Sequence, residues 1–172
     1  MNNKIPLNLL IDKIRDEQAV FVVVGLGRVG LPLSSVLANS GFNVIGIDVD
    51  ENKLESIRNS KCPFFDPPLQ ESLEKSISSG RLTVSKTLQD KVDVIFLTVG
   101  TPSSMEGSVD YSQLYTAIDE ICSINLLQKL IILRSTLPPK TTEDIIIPLS
   151  ENKTNLKGKS EESFASNWFL GR

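Results

Sequence analysis

The chain of 172 residues contains no histidine. That removes Ser-His-Asp and Cys-His triads, and imidazole-based metal sites, in one step. No metal is expected. Cysteine is almost as scarce. Cys62 and Cys122 stand apart, with no CxxC pair and no even framework of bridges. A reducing, cytoplasmic setting is the expectation. No apolar run reaches the roughly 18 residues of a membrane span, so no membrane partner is expected. The N-terminus carries Lys4 and several leucines, but Asp12, Asp16 and Glu17 interrupt them, unlike a secretory leader. An excess of positive charge is missing too. A net charge of -3 argues against general nucleic-acid binding. Repeats of solenoid period and low-complexity tracts are absent.

What is present is an ordinary globular composition. Hydrophobic residues make up 40% and charged residues 23%, at a length suited to one domain with a real core. Apolar strands alternate with helices. The pattern predicts a short leader helix over Asn8 to Asp16, a strand over Val20 to Val24 and a helix from Val29 to Asn39. Pro32 falls in the first turn of that helix, and Gly41 stops it. A strand over Asn43 to Asp48 and a helix over Asn52 to Ser60 follow. "KCPFFDPP" (Lys61 to Pro68) reads as a proline-broken loop. Then come a helix over Leu69 to Ser78 and strands over Leu82 to Ser85 and Asp93 to Val99. A helix over Tyr111 to Ile124, a strand over Lys129 to Arg134, and a loop turning into helix over Pro139 to Leu149 complete the order. Strands that are apolar at every position are covered on both faces, so the expectation is a parallel α/β sheet with helices on both sides. Ligands of such sheets bind beyond the carboxyl ends of the strands.

"VFVVVGLGRVGLPLSSVLANSGFNVIGIDVDENK" (Val20 to Lys53) carries the first chemistry. GxGxxG alone is weak, but here a strand precedes it, a helix follows it, and an acid ends the next strand. Gly25 permits the tight turn. Gly27 lets the backbone approach a pyrophosphate, and Gly30 lets the helix pack against the strand. Val29 lies at the start of that helix, whose free N–H groups and positive end face the phosphates. Asp48 is placed to accept from ribose hydroxyls and to repel a 2′-phosphate, which favours NAD over NADP. The bland alternative is that Asp48 caps the next helix. Arg28 either touches the diphosphate or is merely solvated. Together these features describe a Rossmann-type, doubly wound domain that binds NAD.

The ends of the fourth and fifth strands carry the second chemistry. "TVGTPSS" puts Thr98, Gly100, Thr101 and Pro102 at the crevice, and "RSTLPPKTTE" puts Ser135 and Thr136 there. Small hydroxyl residues in such loops line a nicotinamide ribose or hold a water. They are also compatible with plain strand-to-helix turns, Thr141 then serving as an N-cap with Asp144 as its partner.

In this order, "VVVGLGRVGLPLSSVLANSGFNVIGIDVDENKLESI", "FLTVGTPSS" and "ILRSTLPPKTTEDIIIPL" resemble the N-terminal domain of the UDP-glucose/GDP-mannose dehydrogenase family. The resemblance runs from about Asn8 to Lys159. The leader "LLIDKIRDEQAVFVVVG" is similar to the branch acting on UDP-N-acetylhexosamines. Such enzymes oxidise a sugar C6 alcohol to a carboxylate in two hydride transfers to NAD. The resemblance implies that Gly25, Gly27, Gly30 and Asp48 form the cofactor fingerprint and that Thr101 and Pro102 form a turn beside the cofactor. It further implies that Ser135 and Thr136 form the turn whose threonine places a water or substrate oxygen, the one catalytic role carried over, to Thr136. A UDP-sugar is the implied substrate. The loop resembling the family's "EPGL" has Asp66 in place of the acid and Pro68 in place of the glycine.

Several family motifs have no counterpart here. The family's "PER" strand, its helical segment with lysine and asparagine, and its cysteine-bearing sugar-nucleotide domain find no match. Cys122, on an apolar helix face, reads as an inert core thiol, and Cys62 has no activating neighbour. The expected division is a leader helix (1–18), an NAD-binding domain (19–150) and a divergent or truncated tail (151–172) able to add a sixth strand. The chain is expected to be a fragment or a truncated product, inactive alone. Phe164, Trp168 and Phe169 would then form an exposed apolar cluster near the end, favouring a homo-oligomer. Two alternatives stay open: a non-catalytic NAD-binding or interaction module that keeps the fold, and a different Rossmann dehydrogenase.

Overall fold

The computed structural model describes residues 7–102, 109–124, 129–154 and 164–166. Six strands form one parallel sheet: β1 (Val20–Val24), β2 (Asn43–Ile47), β3 (Leu82–Ser85), β4 (Val94–Leu97), β5 (Leu130–Leu133) and β6 (Phe164–Ser166). Their spatial order is β3-β2-β1-β4-β5-β6. The chain starts in the middle, winds outward to β3, then crosses back to β4 and winds the other way. This reversal makes the crevice between β1 and β4 the topological switch point.

Alternation along each strand explains the two cores. Phe21 and Val23 of β1 point to one face, with Val44, Leu82 and Val94. Val22 and Val24 point to the other, with Ile47, Ile95, Leu97 and Ile131. Leu10 of α1 (Leu7–Arg15), Leu31 of α2 (Gly30–Asn39), Leu54 of α3 (Glu51–Arg58) and Leu73 of α4 (Pro67–Ser78) cover the first face. Leu114, Ile118 and Ile121 of α5 (Ser112–Cys122) cover the second, with Ile146. Phe21 meets Phe42 edge-on, with centroids 4.9 Å apart, and stacks near Phe96 on the first face.

Several local readings are corrected by the structure. The helix after the proline-broken loop begins at Pro67, because Asp66 caps it: its carboxylate accepts from Leu69 N at 3.1 Å. Proline in the first helical positions loses no bond it would have made, so "DPP" is a helix start, not a continuation of the loop. Thr141 is no N-cap. Its backbone is already helical, and its hydroxyl donates to the Pro138 carbonyl at 2.8 Å. A π-helical turn (Thr142–Ile146) follows and continues into α6 (Ile147–Thr154). β6 pairs with β5, Ile131 opposite Phe164. Trp168 and Phe169 lie outside the described residues.

Candidate functional site

At the carboxyl ends of β1, β2 and β4 lies a cleft of about 440 Å³. Gly25, Gly27, Asp48 and Gly100 line it, as the motif spacing implied. The glycines divide the work. Gly25 has φ +95°, and a Cβ there would come within 2.9 Å of the Val99 backbone. At Gly30 a Cβ would sit 1.9 Å from the Gly25 carbonyl oxygen. These two positions let α2 and β4 press against the loop. Gly27 is different: a Cβ there meets nothing within 4 Å. The space above it opens to the cleft and is left for something other than protein. The start of α2 has no side-chain cap; Val29, at the N-cap position, offers none. Its amide donors and positive end are therefore available to an anion.

Asp48 is 7% exposed and holds the glycine loop to the next helix. Its Oδ2 accepts from Leu26 N at 2.8 Å and from Lys53 Nζ at 2.6 Å, and its Oδ1 accepts from Asp50 N at 3.0 Å. It does not cap α3. Asp50 does, accepting from Asn52 N and Lys53 N. A carboxylate can accept about four hydrogen bonds, so one acceptor position stays open for a ribose hydroxyl.

The hydroxyl loops are stitched to each other more than they face the cleft. Thr98 Oγ1 donates to the carbonyls of Val24 and Gly25, at 2.9 and 2.7 Å, and so fixes the glycine turn. Thr101 Oγ1 donates to the Thr136 carbonyl at 2.8 Å, and Ser135 Oγ to the Val99 carbonyl at 2.6 Å. Thr136 itself is exposed at the end of β5. Arg28, Val29, Gly30, Pro102, Thr101, Ser135 and Thr136 lie at this edge of the sheet but are not among the cleft-lining residues. The Arg28 guanidinium rests over the Phe64 ring, 5.0 Å from its centroid.

Lys53, Gln113, Thr116 and Glu120 line the cleft and were not singled out from sequence. Gln113, Thr116 and Glu120 follow i, i+3, i+7 spacing, so one face of α5 lines the same cleft as Asp48. The polar spacing was legible, but read alone it is a solvated helix face. The lysines, which read as solvated by pattern, also differ. Lys53 is paired with Asp48. Lys129 is buried, donating to the Asp90 and Val92 carbonyls. Burial holds its pKa below the ordinary lysine range, with Asp90 and Asp93 opposing. Among the described residues no group of histidine, cysteine, aspartate and glutamate is arranged to hold a metal ion, and no helix is long and apolar enough to cross a membrane.

Residues 19–167 match the family model for the UDP-glucose/GDP-mannose dehydrogenase family, NAD binding domain. The chain belongs to this family. A UDP-N-acetyl-D-mannosamine dehydrogenase of Methanococcus aeolicus is 39% identical over 133 residues, covering 76% of this chain and 30% of the relative. A GDP-mannose 6-dehydrogenase of Pseudomonas savastanoi pv. phaseolicola is 30% identical over 151 residues, covering 84% of this chain and 34% of the relative. Among solved structures, a UDP-D-ManNAc dehydrogenase from Pyrococcus horikoshii superposes with a TM-score of 0.77 at 30% identity, over 88% of this chain and 37% of that one. A ternary complex of GDP-mannose dehydrogenase from Pseudomonas aeruginosa gives 0.76 at 29%, over 85% and 34%. The chain thus spans only 30% and 34% of the length of the two curated relatives. The cofactor of this family's domain is NAD, and the open space at Gly27, the uncapped start of α2 and the buried Asp48 fit a dinucleotide.

Proposed function

We propose that this chain is the cofactor-holding part of a nucleotide-sugar 6-dehydrogenase, which oxidises the C6 alcohol of a UDP-sugar to a uronate. The observation that carries the reading is the empty volume over Gly27, framed by the uncapped start of α2 and by Asp48. When bound, NAD supplies the hydride acceptor. This chain's residues bind and orient. The α2 amides hold the diphosphate, with Arg28 at its edge. Asp48 takes the ribose hydroxyls, with Lys53 fixing its carboxylate. Gly100, Thr101 and Pro102 shape the β4 end, and Ser135 holds the β5 loop to it. Thr136, exposed on that loop, orients a water or the sugar oxygen. At its ordinary pKa a threonine hydroxyl is a poor base. The domain division at residues 18 and 150 belongs to the same proposal.

Two measurements test it. Calorimetric titration should show NAD binding, with NADP much weaker; equal affinities would remove the role given to Asp48. The 172-residue chain mixed with NAD and UDP-glucose, UDP-N-acetylglucosamine or UDP-N-acetylmannosamine should give NADH only at background. The described cleft offers no imidazole and no unpaired lysine as a base: the chain has no histidine, Lys53 is paired, and Lys129 sits at the amino end of β5. Steady turnover lost in Thr136→Ala would overturn that expectation.

A further inference from the structure

We propose that Glu120 reads the base of the bound dinucleotide, selecting a purine with an exocyclic amine at C6 over one with a carbonyl there. The proposal rests on the cofactor reading of the cleft. Gln113, Thr116 and Glu120 form one wall. At 1.5 Å rise per residue, the face from Gln113 to Glu120 extends roughly 10 Å, enough to flank a nucleoside. Gln113 lies at the mouth, its Oε1 close to Gly100, and Glu120 lies at the far end against the loop holding Leu88. Asp48, at the end of β2, lines the same cleft and takes the ribose. The base then lies between Val24, Ile47, Val99 and Ala117, an apolar slot, with its edge towards Glu120.

Three other polar groups of the slot are already committed. Thr116 Oγ1 donates to the Ser112 carbonyl at 3.0 Å. Asp50 caps α3. Lys53 is held by Asp48. Glu120 is half-buried, and Leu88 N donates to its Oε1 at 2.8 Å, so the carboxylate is fixed before any ligand arrives. Its Oε2 carries no hydrogen bond among the described residues. A carboxylate is acceptor-only, so this end of the slot matches a donor on the base. Adenine presents an amine there; hypoxanthine presents a carbonyl, which faces the carboxylate without a shared proton.

The test compares NAD with nicotinamide hypoxanthine dinucleotide on the whole chain by titration calorimetry. The unsubstituted chain should prefer NAD by about tenfold, the worth of one hydrogen bond to a charged group. Glu120→Gln keeps an acceptor for Leu88 N and turns an amide donor towards the base, so the preference should vanish or reverse. Asp48→Ala should weaken both dinucleotides alike, since both carry the same ribose. Circular dichroism and thermal unfolding of each variant separate base selection from loss of fold, and Glu120→Ala, which should lose the preference without reversing it, gives a second reading. Equal binding of the two dinucleotides by the unsubstituted chain, or an unchanged preference in Glu120→Gln, overturns the proposal while leaving the cofactor site intact. Failure of NAD to bind at all overturns both.

Discussion

The three glycines of the fingerprint look alike in the sequence, yet their surroundings predict opposite phenotypes. Gly30→Ala forces a Cβ to within 1.9 Å of the Gly25 carbonyl, a backbone atom that cannot swing away. The expected cost is about 3 kcal/mol, read by urea unfolding. Gly27→Val has open space to occupy, so the melting temperature should hold while NAD binding is lost, because the side chain takes the volume of the diphosphate. Unfolding of Gly27→Val would show that the space is not free. Asp48 is the second residue with a split role. Its carboxylate organises the loop through Leu26 N and neutralises Lys53. Asp48→Ala should weaken NAD about tenfold, through lost charge-assisted hydrogen bonds. It also frees Lys53 beside the ribose, so NADP binding should improve; a titration in which NADP weakens in parallel would contradict the pairing seen here. The acid at the end of β2 was legible because its position relative to the glycines is set by one strand-helix-strand unit. Its lysine partner was not, because an i+5 lysine on a helix reads as surface.

At the scale of elements, the leader helix shows what holds a peripheral piece to the sheet. Leu10 is buried in the first core. Lys13 Nζ lies 2.6 Å from Asp93 Oδ1, and Asp93 Oδ2 accepts from Val20 N at 2.9 Å. One carboxylate therefore ties α1, the start of β1 and the start of β4 together. The two ends of this pair should not behave alike. Lys13 is partly exposed, and Lys13→Ala should cost less than about 1 kcal/mol. Asp93→Ala also leaves the Val20 amide without its acceptor and should cost about 2 kcal/mol. Equal losses in chemical denaturation would mean that the amide bond contributes nothing. Element order was readable over most of the chain, since β1, β4 and β5 are unbroken apolar runs and α2, α3, α4 and α5 each carry buried apolar positions. Boundaries were less so. "FDPP" contains loop-favouring residues, and only the Asp66 carboxylate turned back onto Leu69 N makes it a helix start.

For the whole molecule, pH provides a global test through Lys129. Burial lowers its pKa from 10.5. In the window below 10.5 the unfolded chain keeps this proton where the folded chain has released it, so stability rises with pH there. Unfolding free energies of the unsubstituted chain should therefore climb relative to Lys129→Met as the pH approaches 10.5 from below; a difference independent of pH would place the lysine in water. The sequence by itself determined the alternation of strand and helix, the parallel sheet and the dinucleotide fingerprint. Those features are written in local periodicity and in spacings within a single βαβ unit. Tertiary structure alone decided which polar residues meet across the cleft. Asp48 and Glu120 line one cleft with residues of β1, β4 and α5. They are far apart in the chain, and no local period relates them. Only the crossover from β3 back to β4 brings them to one cleft.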